Sequence, residues 1–213
     1  VHPFTHPSES QRISLVAIGG FGRGEMAPYS DIDLLFLSNK RQTGWAKSVV
    51  GSVLYLLWDL KFKVGHSSRT ISDCVQLGLD DLTIRTSMLE KRYLCGSRDL
   101  FEELETTLKN RVFSKKASNF VEGKLSERAE RHLKHANARY MLEPNIKEGK
   151  GGLRDLHTLY WISKYIYKTD NIQSLIEKKI FKKSELKIFT EAENFLWFIT
   201  VSYTHLRAHE TRR

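Results

Sequence analysis

Two aspartates one residue apart follow a glycine-rich segment near the beginning of the chain. Ten residues separate Gly20 from Asp31, and Asp33 comes two positions later. On a β-strand, residues i and i+2 point to the same face, so the two carboxylates would lie together. Two negative charges this close repel each other unless a cation lies between them, and Mg²⁺ is held in proteins by one or two carboxylates together with phosphate oxygens. Asp31 and Asp33 are therefore predicted to be catalytic and to bind the metal.

The glycines before the acids predict a binding site for the phosphates of a nucleotide. Backbone without Cβ atoms can approach a ligand closely, and a turn that leads into a helix directs its amide N–H groups at an anion. Gly19, Gly20 and Arg23 are the candidates for holding the β and γ phosphates of a nucleoside triphosphate. The glycine spacing matches neither the dinucleotide-binding fingerprint nor the P-loop.

Apolar runs on both sides of this motif predict two neighbouring strands, over residues 13–18 and 32–37. The later elements predicted for this part are a helix over 44–60, a strand over 61–70, helix in two pieces over 71–90 and a strand over 91–95. Beyond it, helical patterns cover residues 99–111, 115–140, 155–167 and 184–199. The sequence therefore predicts an α/β (α+β) domain with a small mixed sheet over residues 1–98, an all-α domain over 99–200 and an atypical tail without an assigned role over 201–213.

The histidines give no metal-binding motif. His205 and His209 have the i, i+4 spacing that brings two imidazoles to one face of a helix, but Leu206 occupies the position where a metalloprotease has glutamate. His132 and His135 fall in a segment that is charged nearly all round, so both are predicted to lie on a solvated helix.

The composition narrows the class of protein. The net charge of +9 raises the question of nucleic-acid binding. The basic residues are spread along helical segments without an aromatic platform for bases, so nucleic acid is not expected as a partner. No apolar run reaches the roughly 20 residues that span a bilayer, and there is no signal-peptide pattern. Cys74 and Cys95 are predicted to be ordinary buried thiols, and we expect a cytoplasmic protein without membrane association.

The first motif resembles the nucleotidyltransferase superfamily, whose members carry a hydrophobic residue and Gly-[Gly/Ser] followed, at the spacing found here, by two alternating acids. Residues 17–35 look like the protein-PII uridylyltransferase branch, and residues 64–70 and 149–159 are similar to two further signatures of that branch. The resemblance runs from about residue 13 to about residue 198. It implies the nucleotidyltransferase fold and the transfer of UMP from UTP to a tyrosine of the signalling protein PII, with Mg²⁺, expected as two ions, as the cofactor.

The resemblance adds candidates outside the first motif. Ser30 joins the predicted nucleotide-binding residues, and Lys150 and Arg154, in a loop with three glycines, are expected to close over the triphosphate. His66 and Arg69 lie in the second signature and are candidates for lining the site.

The resemblance also shows what is expected to be missing. The family removes the uridylyl group in a separate domain with a His-Asp motif, and this chain has no His-Asp dipeptide, so it is predicted to be a fragment that holds the transferase part. Many relatives place a third acid on a strand beside the pair, but residues 61–70 contain none, so no general base is assigned. The alternatives are a related transferase acting on another protein or a small molecule, an RNA-tailing enzyme, and an inactive nucleotide-binding regulatory module.

Overall fold

A computed structural model of the chain describes residues 12–27, 30–40, 43–135, 145–169 and 174–210. The chain divides into two compact units, Val1–Lys115 and Lys116–Arg213. Each unit is built around its own core.

The first unit contains a four-stranded mixed sheet, as predicted. Its strands are β1 (Ile13–Ala17), β2 (Ile32–Ser38), β3 (Val64–Thr70) and β4 (Arg92–Gly96), in the order β3-β2-β1-β4. The central strand β1 runs antiparallel to β2 and β4, whereas β2 and β3 are parallel. The two apolar runs that flank the motif are therefore neighbours in one sheet.

Five helices accompany this sheet. They are α1 (Gly19–Arg23), α2 (Gly44–Asp59), α3 (Ile71–Asp80), α4 (Leu82–Leu89) and α5 (Arg98–Arg111). Thr43, Thr70, Asp81 and Ser97 cap the N-termini of α2 to α5 by accepting backbone N–H bonds, which defines where each of these helices begins. The predicted domain boundary at residue 98 precedes α5, yet α5 packs on β1, β2 and β4 within the first unit.

Both faces of β2 are covered. One buried cluster joins β2 to α2 and consists of Ile32, Leu34, Phe36, Val50 and Leu54. On the other face, Leu35 and Leu37 of β2 and Val16 of β1 are completely buried. The face that carries Asp33 therefore becomes core from Leu35 onwards, and the acids lie only where the strand begins.

The second unit is helical. Its helices are α6 (Ala117–Lys134), α7 (Leu153–Tyr167), α8 (Ser174–Glu177) and α9 (Lys183–Glu210). Helix α7 packs against α6 and α9, and the rings of Phe120 and Tyr165 stack with centroids 4.1 Å apart. Helix α9 continues through residues 201–210, which were predicted to be an atypical tail. Of the helix predicted over 115–140, the last five residues, 136–140, lie outside the described part of the chain.

The structure also bears on the predictions for the two cysteines and for membrane spans. Cys74 is fully buried, but Cys95 is exposed at the end of the edge strand β4, so the prediction of two buried thiols is wrong for Cys95. The described helices include none that combines the length and apolar character needed to cross a membrane.

Candidate active site

The carboxylate of Asp33 lies against the neighbouring strand β3. In the parallel register Asp33 pairs with Gly65, and a Cβ atom added to Gly65 would lie 2.5 Å from Oδ1 of Asp33. No side chain fits at residue 65 unless this carboxylate moves. Sequence reasoning missed Gly65, although a glycine inside a strand signals the close approach of another group.

The other carboxylate oxygen of Asp33 faces the glycine segment. Gly19 has a φ of +58°, and a Cβ atom there would lie 3.2 Å from Oδ2 of Asp33. The N–H of Ile18 donates to the backbone oxygen of Asp33 at 3.1 Å and so fixes the end of β1 beside the start of β2. Two glycines thus border one carboxylate, each at a position where a larger residue would crowd it.

The two acids differ in their surroundings. Asp31 precedes β2 and is exposed, whereas Asp33 is partly buried. Burial raises the pKa of Asp33 above its ordinary value, and the charge of Asp31 raises it further. The charge of Asp31 therefore opposes ionisation of Asp33, and a divalent cation between the two carboxylates would reverse that effect. Two hard oxygen donors beside open backbone fit Mg²⁺, which keeps further positions for phosphate and water.

The glycine segment itself forms the short helix α1, where a turn leading into a helix was expected. The helix can form here because Gly22 lets it approach the segment before β4. A Cβ atom at Gly22 would lie 1.7 Å from the backbone oxygen of Glu90. Gly24, with a φ of 84°, ends α1 in the left-handed conformation that favours glycine.

Arg23 is held by two acids. Its guanidinium donates to Glu25 at 2.9 Å and to the buried carboxylate of Glu90, and its side chain is only 12% exposed. Burial opposes the charge of Arg23, but Glu90 and then Glu25 outweigh burial and raise its pKa. Arg23 therefore anchors α1 in the first unit, and its role toward phosphates stays a prediction.

Arg92 holds the same helix, and no pattern in the sequence indicates this role. Its guanidinium donates to the backbone oxygens of Phe21 at 2.8 Å and Gly22 at 3.1 Å, and it lies over the ring of Phe21. These are carbonyls at the C-terminal end of α1, where a cation is favourable. Glu90 and Arg92 together fix the glycine helix to the start of β4.

Three further residues were predicted to contact the nucleotide. Ser30 directly precedes Asp31 and is exposed, with its hydroxyl donating to the backbone oxygen of Ala27 at 2.6 Å. Lys150 is exposed in the second unit, where Arg154 donates to Glu148 at 3.2 Å. The contributions of Ser30, Lys150 and Arg154 to nucleotide binding stay predictions.

The two residues expected to line the site do not contact the acids. His66 follows Gly65 on β3, so it points to the opposite face from Asp33, and its ring lies 6.4 Å from that of Trp58 on α2. Arg69 shares the Asp33 face but pairs with Leu37, four positions further along β2. A cavity of about 390 Å³ lies beside His66, lined by Lys47, Val50, Gly51, His66, Ser67 and Ser68, and it includes neither aspartate.

An ion-pair cluster in the second unit corrects the expectation for His132. Its Nε2 lies 2.9 Å from the carboxylate of Asp155, which also accepts from Arg131 and from the N–H of Gly151. Burial opposes ionisation of Asp155, but these bonds outweigh it and lower its pKa. His132 is therefore a largely buried partner of Asp155 rather than a solvated residue, and the cluster ties α6 to the N-terminal end of α7.

Comparisons with known proteins match the chain to nucleotidyltransferases and uridylyltransferases. A family model described as nucleotidyltransferase domain matches residues 7–93, and one described as GlnD PII-uridylyltransferase matches residues 119–212. The bifunctional uridylyltransferase/uridylyl-removing enzyme of Ruegeria pomeroyi is 52% identical over 206 residues, which are 97% of this chain and 22% of that protein. The protein of the same description from Cereibacter sphaeroides is 50% identical over 199 residues, 93% of this chain and 21% of its own. The chain thus spans about a fifth of the length of these relatives.

Proposed function

The chain belongs to the PII-uridylyltransferase family of nucleotidyltransferases, and from this premise we propose that it transfers UMP from UTP to a tyrosine of a PII protein, with release of pyrophosphate. The observation that carries the proposal is the placement of Asp33, bordered by Gly19 and Gly65 and followed by buried core. A carboxylate with a raised pKa, next to a second carboxylate and a glycine backbone, suits a metal ion that carries a triphosphate. A nucleoside triphosphate substrate agrees with the cytoplasmic location expected from the sequence.

The proposed reaction is an in-line displacement at the α phosphorus of UTP. A bond forms from the tyrosine oxygen to this phosphorus while the bond to the bridging oxygen breaks, and pyrophosphate leaves with the electron pair. The phenolic proton, with a pKa of about 10 in water, leaves to a base that is not assigned. When bound, Mg²⁺ neutralises the charge that develops on the phosphate oxygens and favours ionisation of the phenol.

Different residues of the chain have different proposed roles in this reaction. Asp31 and Asp33 would hold the metal. The backbone of Gly19 lies beside Asp33 and continues into Gly20, and the β and γ phosphates would lie along it. The fixed position of α1 keeps these groups oriented before the nucleotide arrives. Ser30, and Arg23 through the position of α1, complete the proposed nucleotide site of the first unit.

The proposal is tested by incubating the chain with labelled UTP, Mg²⁺ and purified PII. We expect label to appear on PII and to disappear with Asp33→Asn, because that variant loses one anionic metal ligand. Glu103→Gln, at an exposed position on α5, is the control that removes a carboxylate elsewhere, and it should label normally. Equal labelling by Asp33→Asn and wild type, with both shown to be folded, would exclude the role of Asp33.

One observation favours a second candidate. On the Asp33 face, β3 offers Gly65, Ser67 and Arg69 and no carboxylate, so the neighbour of the acids supplies no third ligand or base. A regulatory module that binds UTP without turnover would need only the existing pair. Tight UTP binding without label on PII, on another protein, on a small molecule or on an RNA primer would favour this reading.

A further inference from the structure

A cluster of exposed apolar side chains lies on the first unit, outside the site described so far. Five large apolar residues in the segment 55–62 have between 44% and 67% of their surface exposed: Tyr55, Leu56, Trp58, Leu60 and Phe62. Single exposed apolar residues are ordinary, but a concentrated patch marks an interaction site, and aromatic residues dominate the binding energy of such sites. We call these residues together with Lys61 and Lys63 the α2–β3 turn surface.

The backbone of this surface is fixed. The N–H of Lys61 donates to the oxygen of Trp58 at 2.8 Å, and the N–H of Phe62 donates to the oxygen of Leu57 at 3.0 Å. This pair of bonds forms a Schellman motif, which closes the end of α2 tightly. The ring of Trp58 is in edge contact with the rings of Tyr55 and His66. The apolar groups are therefore held in place before any partner arrives, which reduces the entropy lost on binding.

The α2–β3 turn surface ends beside the acids. The N–H of Ile32 donates to the oxygen of Lys63 at 2.8 Å, and the parallel register begins with Ile32 opposite Val64. Extending this register by one residue sets Lys63 beside Asp31. A protein whose tyrosine reaches Asp33 must have further residues close to this point, since the tyrosine is part of a chain.

The charges on this surface are mainly positive. Lys61 and Lys63 are exposed, and Asp59 is the acid within the segment 55–63. Lys61 has a φ of 63°, at the position of the Schellman motif where glycine is the usual residue. Lys61 therefore occupies a position where glycine would be less strained.

We propose that the α2–β3 turn surface docks the acceptor protein, through an acidic surface that adjoins the tyrosine to be modified. The proposal rests on the proposed transfer to a protein tyrosine. Apolar contacts with Trp58, Leu60 and Phe62 supply affinity, and Lys61 and Lys63 orient the acidic partner next to the metal-binding pair. The nucleotide does not contact this surface.

The test compares the double variants Leu60→Ser/Phe62→Ser and Lys61→Glu/Lys63→Glu with wild type in labelling of PII. We expect the KM for PII to rise about tenfold or more in each, because truncation of anchor residues commonly has effects of this size. The KM for UTP should not change. Ile188→Ser and Phe195→Ser, at positions with 66% and 63% exposure on α9, are the matched controls and should behave as wild type.

A single variant separates docking from folding. Lys61→Gly should raise the Tm, because glycine relieves the strained backbone, and at the same time raise the KM for PII. If Lys61 had a merely structural role, the Tm would rise and the KM for PII would stay unchanged. An unchanged KM for PII in all three variants would overturn the proposal, and so would variants that alter only self-association, since the surface would then join copies of the chain.

Direct binding keeps this inference separate from the proposed function. Fluorescently labelled PII is titrated with the Asp33→Asn chain in the absence of nucleotide, with and without the surface substitutions. Wild type that fails to label PII while the substitutions weaken binding would refute the transfer and support the docking. Labelling by wild type, together with binding that the substitutions do not change, would support the transfer and refute the docking.

Discussion

The carboxylate of Asp33 occupies the space that a side chain at residue 65 would need, with Oδ1 only 2.5 Å from the position of a Cβ atom on Gly65. Because the two residues pair across parallel strands, neither can shift without disturbing the ladder between β2 and β3. The absence of a side chain on one strand thus determines where the acid of the next strand lies.

Gly65→Ala should therefore displace the Asp33 carboxylate. We expect kcat/KM for labelling to fall about 100-fold, since a displacement near 1 Å at a reacting centre has effects of that order. Mn²⁺ affinity, measured by electron paramagnetic resonance as a probe for the Mg²⁺ site, should fall in parallel. Gly51→Ala, where nothing lies within 4 Å of the added Cβ atom, is the control. Normal metal affinity in Gly65→Ala would show that the carboxylate does not depend on this contact.

Gly22→Ala should destabilise the first unit, because the added Cβ atom would lie 1.7 Å from the backbone oxygen of Glu90. Forcing α1 away from that segment should lower the free energy of unfolding by about 3 kcal/mol. Urea denaturation measures this change, and Gly44→Ala, which meets nothing within 4 Å, should remain within about 1 kcal/mol of wild type. A stable Gly22→Ala chain would mean that α1 can move independently of Glu90.

Asp33→Asn should stabilise the metal-free protein at neutral pH. Because the pKa of Asp33 is raised from its ordinary 3.8, the native state keeps this proton to higher pH than the unfolded state does. The contribution of Asp33 to stability is therefore fully present below pH 3.8 and is lost as the pH rises through the folded-state pKa.

Thermal unfolding with and without Mg²⁺ checks this prediction. The stability difference between Asp33→Asn and wild type should disappear toward pH 3.8, and Mg²⁺ should raise the Tm of wild type at pH 7 but not that of the variant. An equal rise of Tm in both proteins would place the metal elsewhere.

Asp155→Asn should weaken the second unit. Its carboxylate is 13% exposed and accepts bonds from Arg131, His132 and the N–H of Gly151, so its replacement should lower the free energy of unfolding by about 2 kcal/mol. The lowered pKa means that the contribution of Asp155 is present above its ordinary value of 3.8 and is lost as the pH falls through the folded-state pKa.

Acid titration of unfolding separates Asp155 from general effects of charge. Wild type should lose more stability than Asp155→Asn as the pH falls below 3.8. Glu122→Gln, at an exposed position on α6, removes the same charge and should follow wild type. Identical acid profiles for wild type and Asp155→Asn would argue against a lowered pKa.

The two cysteines should differ sharply in reactivity. Burial raises the pKa of Cys74 to about 12, so its thiolate is scarce at neutral pH, whereas Cys95 is exposed. Iodoacetamide followed by mass spectrometry should modify Cys95 rapidly and Cys74 only after denaturation. Rapid modification of Cys74 in native protein would indicate that the core around α3 opens.

The parts of the fold that could be predicted depend on local pattern. The β1 and β2 strands follow from apolar runs, and the placement of Asp31 and Asp33 together follows from the two-residue period of a strand. The helix formed by Gly19–Arg23 could not be predicted, because glycine disfavours helices. Its reason is tertiary: the helix lies so close to Glu90 that residue 22 has no room for a side chain.

Long-range partners account for the other differences. The bonds from Arg23 to Glu90 and from His132 to Asp155 join residues 67 and 23 positions apart, and no local pattern announces them. His66 was expected in the site because its segment resembles a family signature. Its direction was fixed by the register of β3 against β2, which sends every second residue to the face covered by α2.

The attachment of α1 to Glu90 and Arg92 has a consequence for binding kinetics. A phosphate loop that folds around its ligand must search for its bound shape, and its association slows accordingly. Here the helix of glycines is held by one ion pair and two bonds to its carbonyls, so the proposed phosphate site would have its binding shape before a triphosphate arrives. Nucleotide capture by this unit should therefore be limited by diffusion and metal exchange rather than by rearrangement of the glycines.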